Sequence, residues 1–215
     1  MKTILLLLSM LLTITNVTAC SGDDPAEGEE TVKGEGKILV TYFSYPEPDG
    51  VDASTGASRL IKNGAVSGHV EFLGKTIQKA TGGDLFEIKT VQQYPASHEP
   101  LIARAREEKD SGARPALATH IENLNEYDII FIGYPNWWGD LPMPLYTFLE
   151  AYDLKGKTLV PFNSHGGSGL SATVSTIKEK HPEATVVKGF TVSRNSVGEA
   201  ETDLLNWLRE INVIE

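Results

Sequence analysis

The chain has 215 residues, 40% of them hydrophobic and 22% charged, the balance of one ordinary globular domain. Its formal net charge of −10 excludes a nucleic-acid binder, which needs a basic face to neutralise phosphates. One cysteine excludes an internal disulfide, and the histidines at 69, 98, 120, 165 and 181 show no paired spacing that would predict a metal site.

Residues 1–19, "MKTILLLLSMLLTITNVTA", join Lys2 to an apolar run from Ile4 to Leu12. That run is too short to span a bilayer and reads as a signal peptide. Residues 21–36, "SGDDPAEGEETVKGEG", set six acids against one lysine, a net of −5. About half of the acidic surplus therefore lies in a stretch with too little apolar surface to fold, and 20–36 is expected to be a solvated, disordered tether. The residues "VTAC" ahead of it resemble a bacterial lipobox. The resemblance implies that Cys20 becomes the lipidated N-terminus and anchors the protein to a membrane. Acids soon after the cysteine, in "CSGDD", resemble some surface-directed lipoproteins. They imply an extracytoplasmic position on the outer membrane or cell surface rather than the inner membrane.

From Lys37 onward, strand-like and helix-like patterns alternate. "KILVTYF" (37–43), "DLFEIKT" (84–90), "YDIIFIG" (127–133), "KTLVPFN" (157–163) and "ATVVKGFTV" (184–192) are unbroken apolar runs suited to strands covered on both faces. Between and after them, "HVEFLGKTIQKATGG", "LIARAREEKD", "LYTFLEAYD", "SATVSTIKEKH" and "EAETDLLNWLREI" carry helical spacing. The alternation predicts one α/β domain over 37–215, a doubly wound parallel sheet of five strands. After Ser44 about two dozen residues pass before the first helix, where such loops usually have about 2–6. Within them, "SRLIKNGAVSG" places Asn63-Gly64 between two short strand-like runs, the signal for a tight hairpin.

Some apparent motifs carry no chemistry. "GHVEFLGKT" puts five residues between Gly68 and Gly74 where a P-loop requires four. "SHGGSG" (164–169) lacks the nucleophile elbow that a serine hydrolase would need. What remains is three loops at the carboxyl ends of the first, third and fourth strands, which a doubly wound sheet brings to one crevice. The first contains Ser44 and ends in Ser67-Gly68-His69 at a helix start, whose free N–H groups suit a phosphate. The second, "YPNWWGDLP", offers Pro135, Asn136, Trp137, Trp138, Gly139 and Asp140. The third, "NSHGGSG", offers Asn163, Ser164, His165, Gly166 and Gly167, glycines that let backbone approach a flat ligand.

These loops, together with "YFSYPE" (42–47) and "ARPAL", resemble the flavodoxins, in particular bacterial flavodoxin-like proteins. The resemblance covers essentially all of 37–215. It implies strand order 2-1-3-4-5 and an FMN held with its phosphate on the first loop and its ring between the other two. "WGD" matches short-chain flavodoxins, so Trp138 is expected to stack on the flavin, with Gly139 near its reactive nitrogen. Trp137 is expected to pack under the loop or shield an edge. The acidic surroundings, Asp140 nearest, are expected to disfavour the anionic reduced flavin. Two departures stand out. Relatives carry a threonine that binds the phosphate where this chain has Val70, leaving Ser44, Ser67, the helix N–H groups and His69 to compensate. A tyrosine that covers the other flavin face in many relatives is missing, and His165 stands nearby.

The implied function is electron transfer or oxidoreduction with FMN, linked to quinones or NAD(P)H, with a redox partner protein or small-molecule acceptor. The alternative is a binding module that keeps the fold and has lost or weakened flavin binding.

Overall fold

The computed structural model describes residues 31–33, 35–46, 59–62 and 64–215. The expected signal peptide, Cys20 and most of the tether lie outside the described residues, as do Glu47 of "YFSYPE" and Asn63 of the hairpin turn.

Strand β1 (Ile38–Tyr42) is followed by a hairpin of β2 (Arg59–Lys62) and β3 (Ala65–Gly68), then helix α1 (His69–Thr81) and β4 (Asp84–Glu87). After these come α2 (His98–Ser111), β5 (Ile129–Pro135), α3 (Met143–Ala151), β6 (Thr158–His165) and α4 (Thr173–Lys180). Strands β7 (Thr185–Val186) and β8 (Phe190–Ser193) and helix α5 (Glu201–Glu210) complete the chain. The main sheet runs β4-β1-β5-β6-β7, with β8 also on β6, and its pairings are parallel. Leaving out the hairpin, this is the order 2-1-3-4-5.

The unbroken apolar runs are explained by burial on both faces. Val40, Tyr42, Phe131 and Phe162 pack with residues of α1 and α5 on one side. Leu39, Ile130, Ile132 and Leu159 pack with α2, α3 and α4 on the other. Helix α1 ends where expected, at Gly82 with φ +70, a left-handed cap that glycine adopts without a Cβ penalty.

Three expectations need correction in detail. The fifth strand is not continuous over 184–192, because the ladder breaks between Val186 and Phe190. Leu159 accepts the Val187 N–H at 2.9 Å, so Pro161, two residues further along β6, turns to the same edge. Proline has no N–H to give there. The second strand covers only 84–87 because it is the sheet edge, with a partner on one side alone. The tether also stops short of Lys37: Val32 is buried and its N–H bonds the Ile211 carbonyl at 2.9 Å. An apolar side chain at that point finds cover at the end of α5.

The hairpin is present, with Lys62 paired to Ala65 and Gly64 at φ +78. It lies over α1 and the start of α5. Lys62 Nζ bonds the Gly198 carbonyl at 3.0 Å and sits 4.6 Å from the Phe72 ring centre.

Candidate functional site

In the order β4-β1-β5-β6, the chain reverses its winding direction between β1 and β5, which is where open α/β sheets bind ligands. The ends of β1, β5 and β6, from which the three loops leave, lie side by side at this edge.

The first loop leaves β1 through Ser44. Its hydroxyl is buried and finds no hydrogen-bond partner among the described residues. It lies against the start of α1: a Cβ added to Gly68 would fall 2.0 Å from Ser44 Oγ. Glycine is therefore required at 68 to let the hydroxyl approach the helix N-terminus. Ser67 is half-buried beside it. His69 is buried in the first helical position, and Val70 is wholly buried in the core between α1 and the sheet. Sequence alone did not single out Glu71. Its carboxylate reaches back to accept the Gly68 N–H at 2.9 Å and pairs with Lys75, placing a negative charge where the helix dipole favours an anion.

The second loop is a two-residue reverse turn. Trp137 and Asp140 exchange both backbone hydrogen bonds at 3.1 Å, while Trp138 has φ +51 and Gly139 φ +75. These are the positive values of a type I′ turn. For a side chain as large as tryptophan the left-handed region costs about 1–2 kcal/mol. The turn separates the two indoles. Trp137 is turned inward against Phe43 and Tyr94, whereas Trp138 remains 42% exposed. Pro135 is buried at the end of β5, paired with Ser164.

Asp140 is committed locally. Its carboxylate accepts from Tyr146 Oη and the Leu141 N–H, both at 2.8 Å, and from Lys109. Half-burial pushes its carboxyl up, but these three donors and the Lys109 charge outweigh that and hold it below the ordinary aspartate value.

The third loop is shaped by two buried asparagines. Asn136 Nδ2 donates to the Gly169 carbonyl at 2.7 Å and to Ser171 Oγ at 3.1 Å. Asn163 Nδ2 donates to the same carbonyl at 3.2 Å, and its Oδ1 accepts from Thr191. Asn136 Oδ1 is buried without a partner among the described residues. His165 Nδ1 accepts the Gly167 N–H at 2.9 Å, which in the neutral ring leaves the proton on Nε2. Burial lowers its pKa, favouring that neutral form. Gly166 and Gly167 are exposed.

A cleft of about 540 Å³ is lined by Asn136, Trp138, Gly139, Gly166, Gly167, Ser168 and Ile102. Five of these were legible as candidates. Ile102 and Ser168 were not, and neither was Arg106, whose guanidinium lies 5.8 Å from the Trp138 ring centre. Ile102 and Arg106 sit on α2, after a long irregular stretch whose path no local pattern fixes. Ser44 does not line this cleft. It borders instead a second cleft, of about 470 Å³, with Tyr45, Ile88 and Val91, so the single crevice expected for all three loops is divided in two. Trp137, Asn163 and Ser164 lie beneath the surface as supports.

A doubly wound sheet with a polar helix start, an exposed indole and a glycine loop at its switch point defines a flavodoxin-like fold. A family model described as "Flavodoxin" matches residues 58–211, and the chain belongs to that family. Among solved structures, a candidate flavoprotein from Bacteroides eggerthii DSM 20697 is 30% identical, with TM-score 0.63 over 82% of this chain and 98% of its own. A second, from Bacteroides uniformis ATCC 8492, is also 30% identical, with TM-score 0.58 over 77% and 97%. A flavoprotein from Lactobacillus acidophilus NCFM, solved in complex with FMN, shares the fold at 20% identity, with TM-score 0.55 over 78% and 99%. No curated protein sequence matches the chain.

Proposed function

We propose that the chain binds FMN at this edge and serves as an electron-transfer flavoprotein or FMN-dependent oxidoreductase. The observation that carries this reading is Trp138, a half-exposed indole kept at positive φ over a cleft faced by glycines. Left-handed backbone is costly at so large a side chain, and strain of this kind collects at ligand sites, so the conformation points to a planar ligand. The residues present fit the cofactor. Trp138 would carry the ring, with Gly166 and Gly167 across the cleft, and the orphaned Asn136 Oδ1 supplies an acceptor for a ring N–H. Ser44, Ser67 and the N-terminus of α1 would hold the phosphate, where the orphaned Ser44 hydroxyl awaits an acceptor. When bound, the flavin supplies one- and two-electron chemistry, while the protein binds it, orients it and sets its electrostatic surroundings. Val70 withholds the usual hydroxyl, which lowers affinity without removing the site.

Electrons would pass to a redox partner protein or a small acceptor such as a quinone. Anchorage through Cys20 on the outer membrane or cell surface would put the domain away from the cytosolic nicotinamide pool, which favours membrane redox partners as donors. Incorporation of a fatty-acid probe that is lost in Cys20→Ala tests the anchor. The cofactor is tested by titrating residues 21–215 with FMN while following flavin absorbance and tryptophan fluorescence, with Trp138→Ala alongside. Sub-micromolar binding, weakened in the variant, is expected. No binding at tens of micromolar would leave a flavodoxin-fold recognition module.

A further inference from the structure

Trp138 is the outer end of a row of rings that runs inward from the cleft. Its ring centre lies 6.4 Å from that of Trp137, Trp137 lies 5.7 Å from Tyr94, and Tyr94 lies 5.6 Å from Tyr45. Phe43 fills the angle between Trp137 and Tyr94. Trp137 and Tyr94 are only 2% and 3% exposed, so the middle of the row is dry.

Polar chemistry differs from one ring to the next. Trp137 Nε1 is buried and finds no hydrogen-bond acceptor among the described residues. Tyr94 Oη donates to Glu108 Oε2 at 2.5 Å, and Arg104 holds the other carboxylate oxygen at 2.9 Å. The Arg104 guanidinium also lies over the Tyr94 ring at 4.7 Å. For an oxidising equivalent these differences have a direction. An oxidised indole is an N–H acid, yet Trp137 has no acceptor for its proton among the described residues. It therefore stays a radical cation, able to oxidise a neighbour. Tyr94 has a carboxylate ready for its proton. A cationic phenol under a guanidinium is unfavourable, so loss of the electron and of the proton must occur together.

We propose that Trp138, Trp137 and Tyr94 form a relay that draws an oxidising equivalent out of the cleft and settles it on Tyr94, with Glu108 as the proton acceptor. The oxidant is the light-excited oxidised ring of the flavin, so this step rests on the FMN reading. Trp138 would give up one electron to that oxidant, Trp137 would refill Trp138, and Tyr94 would refill Trp137 while its phenolic proton moves to Glu108. The chain would be left with a neutral tyrosyl radical and a protonated glutamate, the electron having passed to the oxidant.

The relay can be tested without the cofactor. The detergent-solubilised full chain is flashed with ruthenium tris-bipyridine and persulfate, then frozen for electron paramagnetic resonance with ring-deuterated tyrosine. The expected result is a tyrosyl signal that falls in Trp137→Phe and in Tyr94→Phe, with a tryptophanyl signal rising in the latter, over the constant yield of the partly exposed tyrosines. Trp138→Phe, a change at a half-exposed position that leaves the core intact, is expected to lower the yield as well. Equal tyrosyl yield in wild type, Trp138→Phe and Trp137→Phe overturns the relay. A blue flash on the FMN-loaded chain is the second arm, and the same pattern is expected. A tyrosyl signal with ruthenium but none with FMN would overturn the flavin as oxidant while the relay stands.

Discussion

Replacing Trp138 by alanine and by glycine separates what the residue does for the fold from what it does for a ligand. Burying and then deleting a whole tryptophan costs about 3–5 kcal/mol. With 42% of Trp138 exposed, roughly half of that, about 2 kcal/mol, should be lost in both variants. They differ in the backbone. At φ +51 alanine keeps the steric penalty of the left-handed region, about 1–2 kcal/mol, and glycine does not. Trp138→Gly should therefore be the more stable of the two by about 1 kcal/mol, or some 2–4 °C in Tm for a domain of this size, reversing the order expected in an ordinary helix or strand. Both should lose the stacking contact, worth about 1–3 kcal/mol by analogy with base–aromatic stacking, which is about 5- to 150-fold in FMN affinity. Urea unfolding and flavin titration on the same preparations read the two effects. An alanine variant as stable as the glycine variant would refute the strained-turn assignment, and an unchanged FMN affinity in both would refute stacking.

Three further outcomes follow from the first and third loops. Ser44→Ala removes a buried hydroxyl with no partner among the described residues, so the cofactor-free protein should be as stable or up to about 1–3 kcal/mol more stable. FMN affinity should nevertheless fall by roughly 10-fold or more as a hydrogen bond to a charged group is lost; parallel melts and titrations decide this. Glu71→Gln removes a carboxylate from the α1 N-terminus and should tighten FMN several-fold while leaving riboflavin, which has no phosphate, unchanged in the same titration. For His165 burial lowers the folded pKa, so below the ordinary value of about 6.5 the unfolded state binds more protons. The stability that the neutral ring contributes is then present above that value and lost as pH falls through the folded pKa, along with the Nδ1 acceptor for Gly167. His181 is lowered by burial too, so urea midpoints at pH 7.5 and 5.5 should drop less in His165→Asn than in wild type, without the drop vanishing.

The layers of the fold were legible because each strand is covered on both faces and so reads as a continuous apolar run, while each helix shows one face. The hairpin was legible from a turn signal alone. Strand five was misread as continuous because its break is caused by Pro161, a residue of the neighbouring strand. That is a tertiary effect which no window over 184–192 contains. Val32 was assigned to the tether for the converse reason: its cover, at the end of α5, lies far away in sequence.

At the site, the residues that line the cleft from β5 and β6 were legible because loop chemistry follows directly from glycine, asparagine and tryptophan at strand ends. Its electrostatics were not. Read from sequence, Asp140 makes the surroundings of Trp138 acidic. In the structure α2 brings Lys109 onto that carboxylate and Arg106 toward the Trp138 ring, with Arg106 itself paired to Asp110. The negative charge expected beside the ring is thus neutralised by a cation from a helix that starts more than thirty residues before the loop. A charge matched at contact distance contributes little field beyond its partner. The loop should therefore penalise an anionic flavin less than its own sequence implies, and Lys109→Ala, by exposing Asp140, should restore the penalty. A fall in midpoint potential in that variant, measured by redox titration of the FMN-loaded protein, is the expected result. An unchanged potential would mean that Asp140 lies too far from the ring to matter, whether paired or free.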